Sequence, residues 1–312
     1  MRIGIDVMGG DFAPEAVIEG AVDSLSHLSA DDHLVLIGDQ DAIYRRLEES
    51  GTDPSLFTIV HTSQVITMGD IPSKAYSQKQ DSSIAVGYKM LQKGEINGFC
   101  SAGNTGAMLV GASYTVNVIP GVFRPALATI VPSIDNRSAV ILDVGLNPDS
   151  KPDVLFQYGI LGTLFAKHVL EIDNPIVKLL NIGTEESKGT PSVKAAYELM
   201  KDFSGINFQG NIEANDLFLE NMPDVIVCDG FVGNVILKQT EAFHDLYKRR
   251  NLKDTYFDSL DFENIGGTPI VGINANVVIG HGVSKRKAIM NMILQTMAVV
   301  HVNLAQKIKE AI

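Results

Sequence analysis

The sequence contains no tryptophan and only two cysteines in 312 residues. Cys100 and Cys228 lie far apart in the chain and form no C-x-x-C pair, which argues against a disulfide framework and a zinc cluster and is compatible with a reducing cytoplasm. No apolar run approaches the roughly 20 residues needed to span a bilayer. The first residues, Met1–Asp6, reach a carboxylate too early for a signal peptide. We therefore expect a cytoplasmic protein.

Several motifs of cofactor and metal chemistry are also missing from the sequence. It has no G-x-G-x-x-G after an apolar run, no G-x-x-x-x-G-K-[ST] and no H-E-x-x-H. The nearest match to a nucleophile elbow, Gly98–Gly103, has one residue too many for G-x-S-x-G. These absences argue against a dinucleotide enzyme, a nucleoside triphosphatase, a metallopeptidase and a serine hydrolase, so evidence for function must come from the loops.

Basic residues are few relative to acidic ones. The chain has 25 Lys and Arg residues and 37 Asp and Glu residues, which gives a net charge of −12. This balance argues against general affinity for nucleic acid backbones. Apolar residues make up 45% and charged residues 20% of the chain, proportions that are typical of a compact folded protein.

Short β-branched runs alternate with longer amphipathic stretches along the whole chain. The alternation predicts βαβ crossovers and a largely parallel sheet covered on both faces, a three-layer α/β/α fold. Segment 272–279 suggests two short strands, and a stripe from Ile289 to Ile308 predicts one long final helix. Pro148 and Pro152 are compatible with a boundary near residue 150. The runs predicted as strands are Arg2–Val7, His33–Ile37, Phe57–His61, Gly98–Ser101, Ala139–Leu142, Ile176–Ile182 and Val225–Cys228.

Ligands of such folds bind beyond the carboxyl ends of strands, where this sequence places its glycine-rich loops. Gly9 and Gly10 in the first loop allow close backbone approach to a ligand, or simply a tight turn. The loop Ser101–Gly106 predicts an anion site at a helix N-terminus, for which Ser101, Gly103, Asn104 and Thr105 are candidates. Ordinary helix capping is the alternative.

Two further loops carry candidate catalytic residues. Lys188 lies just before a predicted helix start at Thr190–Pro191, where the helix dipole disfavours a cation unless an anion binds there. Asn234 follows two glycines, and either caps a helix or offers its amide to a developing oxyanion. Asp143 either orients a lysine or ends its strand. His281 is either a cleft residue or an ordinary loop histidine. Cys100 and Cys228 are predicted to be small buried residues rather than nucleophiles.

Six segments in the right order give the chain a resemblance to the bacterial phosphate acyltransferase family PlsX. The resemblance covers essentially the whole chain, and the order of six motifs makes it far more specific than any single one. The segments are Ile5–Asp11, Lys79–Ser83, Ser101–Gly106, Leu142–Gly145, Leu180–Gly189 and Cys228–Asn234.

The resemblance implies an enzyme that transfers a fatty acyl group from acyl carrier protein to inorganic phosphate, for phospholipid synthesis. It also implies that residues 1–312 form a single two-lobed domain similar to isopropylmalate dehydrogenase and phosphotransacetylase. The protein would be a homodimer and would need no cofactor or metal. A membrane glycerol-phosphate acyltransferase would use the product. By motif, Lys188 and Asn234 match the positions proposed as catalytic. Residues expected to bind phosphate or substrate are Gly9, Gly10, Ser101, Gly103, Asn104, Thr105, Asp143 and His281.

The family usually has a longer amphipathic segment at 248–265, thought to touch the membrane. The shorter segment here still mixes basic and apolar residues, such as Arg249 and Leu252, with interrupting aspartates. We therefore expect at most peripheral contact with the inner face of the membrane. Docking of the acidic carrier protein needs a basic surface. The candidates are Lys248, Arg249, Arg250, Lys285, Arg286 and Lys287.

Two other classes of function compete with acyl transfer. A decarboxylating dehydrogenase on a related fold would need an aspartate trio for a metal and an arginine cluster for a carboxylate, and neither grouping is evident. A binding protein or membrane scaffold would bind phosphate ligands without turnover. Acyl phosphate formation distinguishes the enzyme from both.

Overall fold

The computed structural model describes residues 1–135 and 137–312. These residues form strands β1 Arg2–Asp6, β2 His33–Gly38, β3 Phe57–His61, β4 Gly98–Ser101, β5 Ala126–Pro132, β6 Ser138–Leu142, β7 Ile176–Asn181, β8 Asn207–Glu213, β9 Val225–Val227, β10 Gly267–Val271 and β11 Asn276–Gly280. The helices are α1 Glu15–Ser24, α2 Gln40–Glu49, α3 Pro72–Gln78, α4 Ser83–Gln92, α5 Thr105–Gly111, α6 Pro152–Val169, α7 Pro191–Lys201, α8 Gly230–Arg249, α9 Thr255–Ser259, α10 Phe262–Ile265, α11 Arg286–His301 and α12 Leu304–Ala311.

The chain divides into two compact units. Unit one consists of Met1–Ile119 and Phe262–Ala305, and unit two of Pro120–Asp261 and Gln306–Ile312. Residues 148–152 lie inside unit two, so the suggested boundary near residue 150 is wrong. The expectation of a single two-lobed domain over residues 1–312 stays a prediction.

Unit one is built on a sheet with strand order β3-β2-β1-β4-β11-β10. All neighbouring strands are parallel except the antiparallel pair β10 and β11. Consecutive residues of β1, from Ile3 to Asp6, are all buried, as expected for a strand that is covered on both faces. Helices α4 and α11 both pack on β1 and β4. The sequence-based prediction of a largely parallel, covered sheet is confirmed here.

The strands of unit two follow the order β5-β6-β9-β7-β8. Among the described strands of this unit, β5 and β6 run antiparallel to each other and the other neighbouring pairs run parallel. Strand β9 is fully buried, and α6 packs on β6, β7 and β9. The same parallel architecture therefore occurs in both units, and it places the carboxyl ends of several strands side by side in each.

Several predicted boundaries follow from local chemistry. Thr190 caps α7 by accepting a hydrogen bond from the Val193 N–H at 3.2 Å, and Pro191 is the first helical residue, as the sequence predicts. The prediction of one long final helix is wrong, because α11 ends at His301 and α12 begins at Leu304. Asn303 between them has φ +51°, a left-handed conformation that asparagine tolerates and that ends a helix.

The prediction of two strands within 272–279 is also corrected. The first strand, β10, ends at Val271, before this segment, and only β11 overlaps it. Gly272 has φ +92° and starts the turn between them, so the apolar residues after it do not continue a strand.

No single helix among the described residues is long and apolar enough to cross a membrane. The bent pair Arg286–His301 and Leu304–Ala311 passes that test only when its two helices are taken together, and only by length and composition.

Candidate active site

The candidate residues of unit one follow three neighbouring parallel strands. Strand β4 lies between β1 and β11 in the sheet and is parallel to both, so the carboxyl ends of all three meet at one edge. The Gly9–Gly10 turn follows β1, the Ser101–Gly106 loop follows β4, and His281 follows β11. The topology therefore brings all the unit-one candidates to one edge of the sheet.

Asp6 holds the first two of these loops together. Its carboxylate is fully buried and accepts hydrogen bonds from the Ser101 hydroxyl at 2.6 Å and the Met8 N–H at 3.1 Å. A Cβ at Gly9 would overlap this carboxylate and would lie 2.7 Å from the main-chain nitrogen of Gly103. Burial raises the pKa of Asp6, although hydrogen bonds from Ser101, Ser83 and Met8 oppose that shift.

The side chains of two predicted anion ligands, Ser101 and Asn104, already form hydrogen bonds within the protein. The Ser101 hydroxyl donates to Asp6 and accepts from the Gly103 N–H at 2.9 Å. Asn104 caps α5 through its Oδ1, and its Nδ2 donates to the carbonyls of a neighbouring turn, those of Thr67, Met68 and Asp70. The capping alternative therefore describes Asn104. Thr105 remains exposed, and no hydrogen bond of its side chain occurs within the described part of the chain.

The third loop of unit one adjoins the first through its backbone. The Asp11 N–H donates to the carbonyl of Gly282 at 2.8 Å. Gly10 has φ +110°, and a Cβ there would lie 3.3 Å from the same carbonyl oxygen. His281 is half-buried, and its ring lies 5.4 Å from that of Phe262. His281 therefore lies close in space to the Gly9–Gly10 turn through its neighbour Gly282, although the two loops are far apart in the chain.

Unit two repeats the arrangement with β6, β9 and β7. These strands are neighbours and parallel, so Asp143 after β6, Asn234 after β9 and Lys188 after β7 are all on chain segments that leave the same sheet edge. The sequence-based grouping of the three residues at strand ends agrees with this topology.

Asp143 organises the loop that follows β6. Its carboxylate accepts hydrogen bonds from the main-chain N–H groups of Leu127, Gly145, Leu146 and Asn147, at 2.6–3.2 Å. Burial raises its pKa, and these hydrogen bonds oppose the shift. A carboxylate that accepts this many main-chain hydrogen bonds holds the backbone of the loop in place. This role differs from both predicted ones, which were to end the strand or to orient a lysine.

Asn234 is free of the capping role that the sequence suggested. Helix α8 begins at Gly230, and Asp229 caps it by accepting from the Val232 N–H at 2.8 Å, so that alternative for Asn234 is wrong. The Asn234 side chain is exposed and forms no hydrogen bond with other described residues. Its Oδ1 lies 3.7 Å from the position of a Cβ built on Gly145, which places its amide beside the Asp143 loop.

Lys188 lies on an anchored turn and has an exposed side chain. Its N–H donates to the carbonyl of Glu185 at 3.1 Å, and its own carbonyl accepts from the Asn181 Nδ2 at 3.2 Å. Gly189 has φ +92°, and a Cβ there would lie 2.5 Å from the Asn181 Oδ1. The end of β7 thus holds the backbone of Lys188 while its ammonium group stays in solvent.

The two cysteines are buried, as the sequence predicts. Burial raises the pKa of Cys100 to about 12 and that of Cys228 well above its ordinary value. A thiol that stays protonated at neutral pH is a poor nucleophile. Among the described residues, no group of three or more His, Cys, Asp and Glu is arranged so that it could hold a metal ion.

Sequence reasoning missed the supporting residues of these loops. The Asp6 carboxylate accepts from the Met8 N–H, and the Asn181 Nδ2 donates to the carbonyl of Lys188. The Asn147 Nδ2 donates to the carbonyl of Pro125 and to the Tyr158 hydroxyl, both at 2.7 Å. The pattern that could have found Asp6 and Asn181 is a polar residue at the last position of an otherwise apolar strand.

Residues 1–307 match the family model described as "Fatty acid synthesis protein". The chain belongs to this family. A protein named Phosphate acyltransferase from Thermoanaerobacterium thermosaccharolyticum is 40% identical over 332 residues, covering 100% of this chain and 97% of that protein. Another of that name, from Halothermothrix orenii, is 39% identical over 333 residues, covering 100% and 98%. Both alignments are longer than this chain of 312 residues, so the relatives have residues without a counterpart here.

Solved structures share the fold of this fatty acid synthesis family member at low sequence identity. A phosphotransacetylase from Streptococcus pyogenes has a TM-score of 0.66 and 16% identity, covering 96% of this chain and 94% of its own. The EutD phosphotransacetylase from Staphylococcus aureus has a TM-score of 0.65 and 14% identity, with the same coverage. The predicted likeness to phosphotransacetylases is confirmed at the level of the fold.

Proposed function

We propose that this protein is a phosphate acyltransferase, which transfers a fatty acyl group from an acyl carrier protein thioester to inorganic phosphate. The observation that carries the proposal is the full-length similarity to relatives named Phosphate acyltransferase at about 40% identity. The bond that forms joins a phosphate oxygen to the acyl carbon, and the bond that breaks is the C–S bond. The carrier thiolate leaves and takes up a proton, and the product is an acyl phosphate.

For this reaction the protein mainly has to position the two substrates and stabilise charge. A thioester is already activated, and phosphate is ionised at neutral pH, so neither a covalent intermediate nor a strong base is required. The protein has to hold the anion against the carbonyl and stabilise the tetrahedral oxyanion. The burial of both cysteines, which raises the pKa of each thiol, is consistent with a direct transfer.

We assign the two catalytic roles to Lys188 and Asn234. Lys188 would hold the phosphate, because its exposed ammonium group extends from an anchored backbone. Asn234 would donate its amide N–H to the oxyanion. Support comes from its side chain, which is free of the helix cap and lies beside the loop that Asp143 fixes.

The remaining candidate residues form two groups, those that would contact the ligand and those that hold the loops in place. Thr105 offers an exposed hydroxyl, and Gly9, Gly10, Gly103 and His281 would lie in the loops beside a bound ligand. The glycines allow these loops to pack closely against one another. Ser101, Asn104 and Asp143 would act indirectly, because internal hydrogen bonds occupy their side chains. We propose them as residues that shape the phosphate and substrate loops.

The partners follow from the reaction. Acyl carrier protein supplies the thioester, and we propose that it docks on exposed basic residues. Arg249, Arg250 and Lys287 are exposed and form no ion pair among the described residues, whereas Lys248 pairs with Asp261 and Arg286 with Asp23. We also propose a cytoplasmic homodimer with peripheral membrane contact, delivering acyl phosphate to a membrane glycerol-phosphate acyltransferase. The exposed apolar side chains of α8, Phe231, Val235 and Phe243, support such contacts.

Incubation with an acyl carrier protein thioester and labelled phosphate tests the proposed activity. We expect a labelled acyl phosphate that hydroxylamine traps as the hydroxamate, with release of one carrier thiol per product. Water in place of phosphate serves as the control for simple thioester hydrolysis. Phosphate binding without product would instead support the binding-protein alternative, and reduction of a nicotinamide cofactor with a hydroxy acid would support the dehydrogenase.

A further inference from the structure

Exposed apolar side chains of unit one are concentrated beside its candidate loops. Seven large apolar side chains among the described residues of this unit are exposed, and four of them belong to these loops or to the turn that packs on them. The four, which we call the apolar strip, are between 42% and 61% exposed. Single exposed apolar side chains are common on folded proteins, but a group of them marks a binding surface. The apolar strip consists of Phe12, Met68, Ile71 and Val283.

Two side chains of the strip, Met68 and Ile71, extend from a turn that hydrogen bonds hold in place. The Asn104 Nδ2 donates to three carbonyls of this turn at 3.0–3.4 Å, among them that of Met68. The Asp70 carboxylate accepts from the Lys79 ammonium group at 2.5 Å, which joins the turn to the end of α3. The backbone under both apolar side chains is therefore fixed before any ligand binds.

Met68 also reaches the loop that follows β11. A Cβ built on Gly282 would lie 2.8 Å from the Met68 Cε, so this side chain lies across the glycine. Val283 is the next residue. The Asp11 N–H donates to the Gly282 carbonyl at 2.8 Å, which brings Phe12 close to the same loop. The strip therefore extends across all three candidate loops of unit one.

Ileu71 end of the strip adjoins a candidate phosphate ligand.

Discussion

Gly233 packs directly against the main-chain oxygen of Asp143, and there is no room for a Cβ between them. The contact presses the first turns of α8 onto the loop that follows β6. Cys228 strengthens the junction, since its Sγ lies 3.4 Å from the same oxygen. Because Asn234 is the next residue, its position depends on this close approach.

Replacement of Gly233 by alanine should therefore be destabilising. The added Cβ would overlap main-chain atoms that cannot rotate away, and overpacking of this kind costs about 1–3 kcal/mol. Urea unfolding followed by circular dichroism measures the change. A helical glycine with more space, Gly159, is the matched control, because a Cβ there would meet only the ends of the Ile206 and Met200 side chains at 3.3 Å.

We expect Gly159→Ala to be neutral or to stabilise the protein by up to about 1 kcal/mol, because alanine has the higher helix propensity. Similar losses in both variants would indicate a general intolerance of larger residues in helices. They would argue against a specific junction between Gly233 and Asp143.

Asn234→Ala should lower turnover and leave substrate binding nearly unchanged. Loss of one oxyanion donor costs about 2.7–4 kcal/mol of transition-state stabilisation, which corresponds to roughly a hundred- to a thousand-fold in kcat. Steady-state kinetics with acyl carrier protein thioester and phosphate give kcat and both KM values. Gln239→Ala removes another exposed amide of the same helix and is the control. Wild-type turnover in Asn234→Ala would exclude the proposed role.

The elements around these residues could be predicted from the sequence to different degrees. Strands such as β4 were predicted with their observed bounds, because a continuous apolar run between turn residues has few alternatives. Helix starts at Ser82 and Thr190 were also predictable from local capping. The break at Asn303 was not, because the apolar stripe continues across it and only the backbone conformation shows that the helix ends.

The site itself was predicted in part. The loops at strand ends were found because glycine and polar residues cluster there, and topology alone brings such ends together. The division of labour inside a loop was not predictable. Whether Ser101 faces a ligand or Asp6 depends on contacts between residues 95 positions apart in the chain. The same limit applies to Asn234, whose freedom from capping depends on Asp229 beginning the helix earlier.

The two thiols should be inert in the folded protein. Burial raises the pKa of both cysteines, so a thiol reagent at pH 8 should modify neither until urea unfolds the chain, and should then modify two. Rapid reaction of one thiol in the native protein, with activity lost in parallel, would point to a nucleophilic cysteine and against direct transfer.

The same shifts predict how stability changes at alkaline pH. The folded state holds the thiol protons more tightly than the unfolded state, in which cysteine ionises near about pH 8.5. Unfolding therefore releases protons, and the free energy of unfolding should fall as the pH rises from about 8.5 towards the pKa of Cys100, about 12. Urea unfolding of the wild type and of Cys100→Ala at pH 8 and pH 10 checks the sign. The variant should lose less stability over this interval.

Lys188→Ala should raise the KM for phosphate and leave the KM for the thioester unchanged. The lysine is proposed to pair with the anion, and a charge-assisted hydrogen bond contributes about 1.5–3 kcal/mol, which corresponds to roughly a 10- to 100-fold rise. Lys188→Arg keeps the charge and should recover part of the loss, whereas Lys194→Ala removes an exposed lysine of α7 and should change neither constant. Higher ionic strength should weaken phosphate binding in the wild type more than in Lys188→Ala, because only the wild type retains the ionic contact. Equal phosphate KM values in Lys188→Ala and the wild type would mean that the ammonium group does not hold the phosphate, and the anion would then have to be held by neutral groups such as backbone N–H donors.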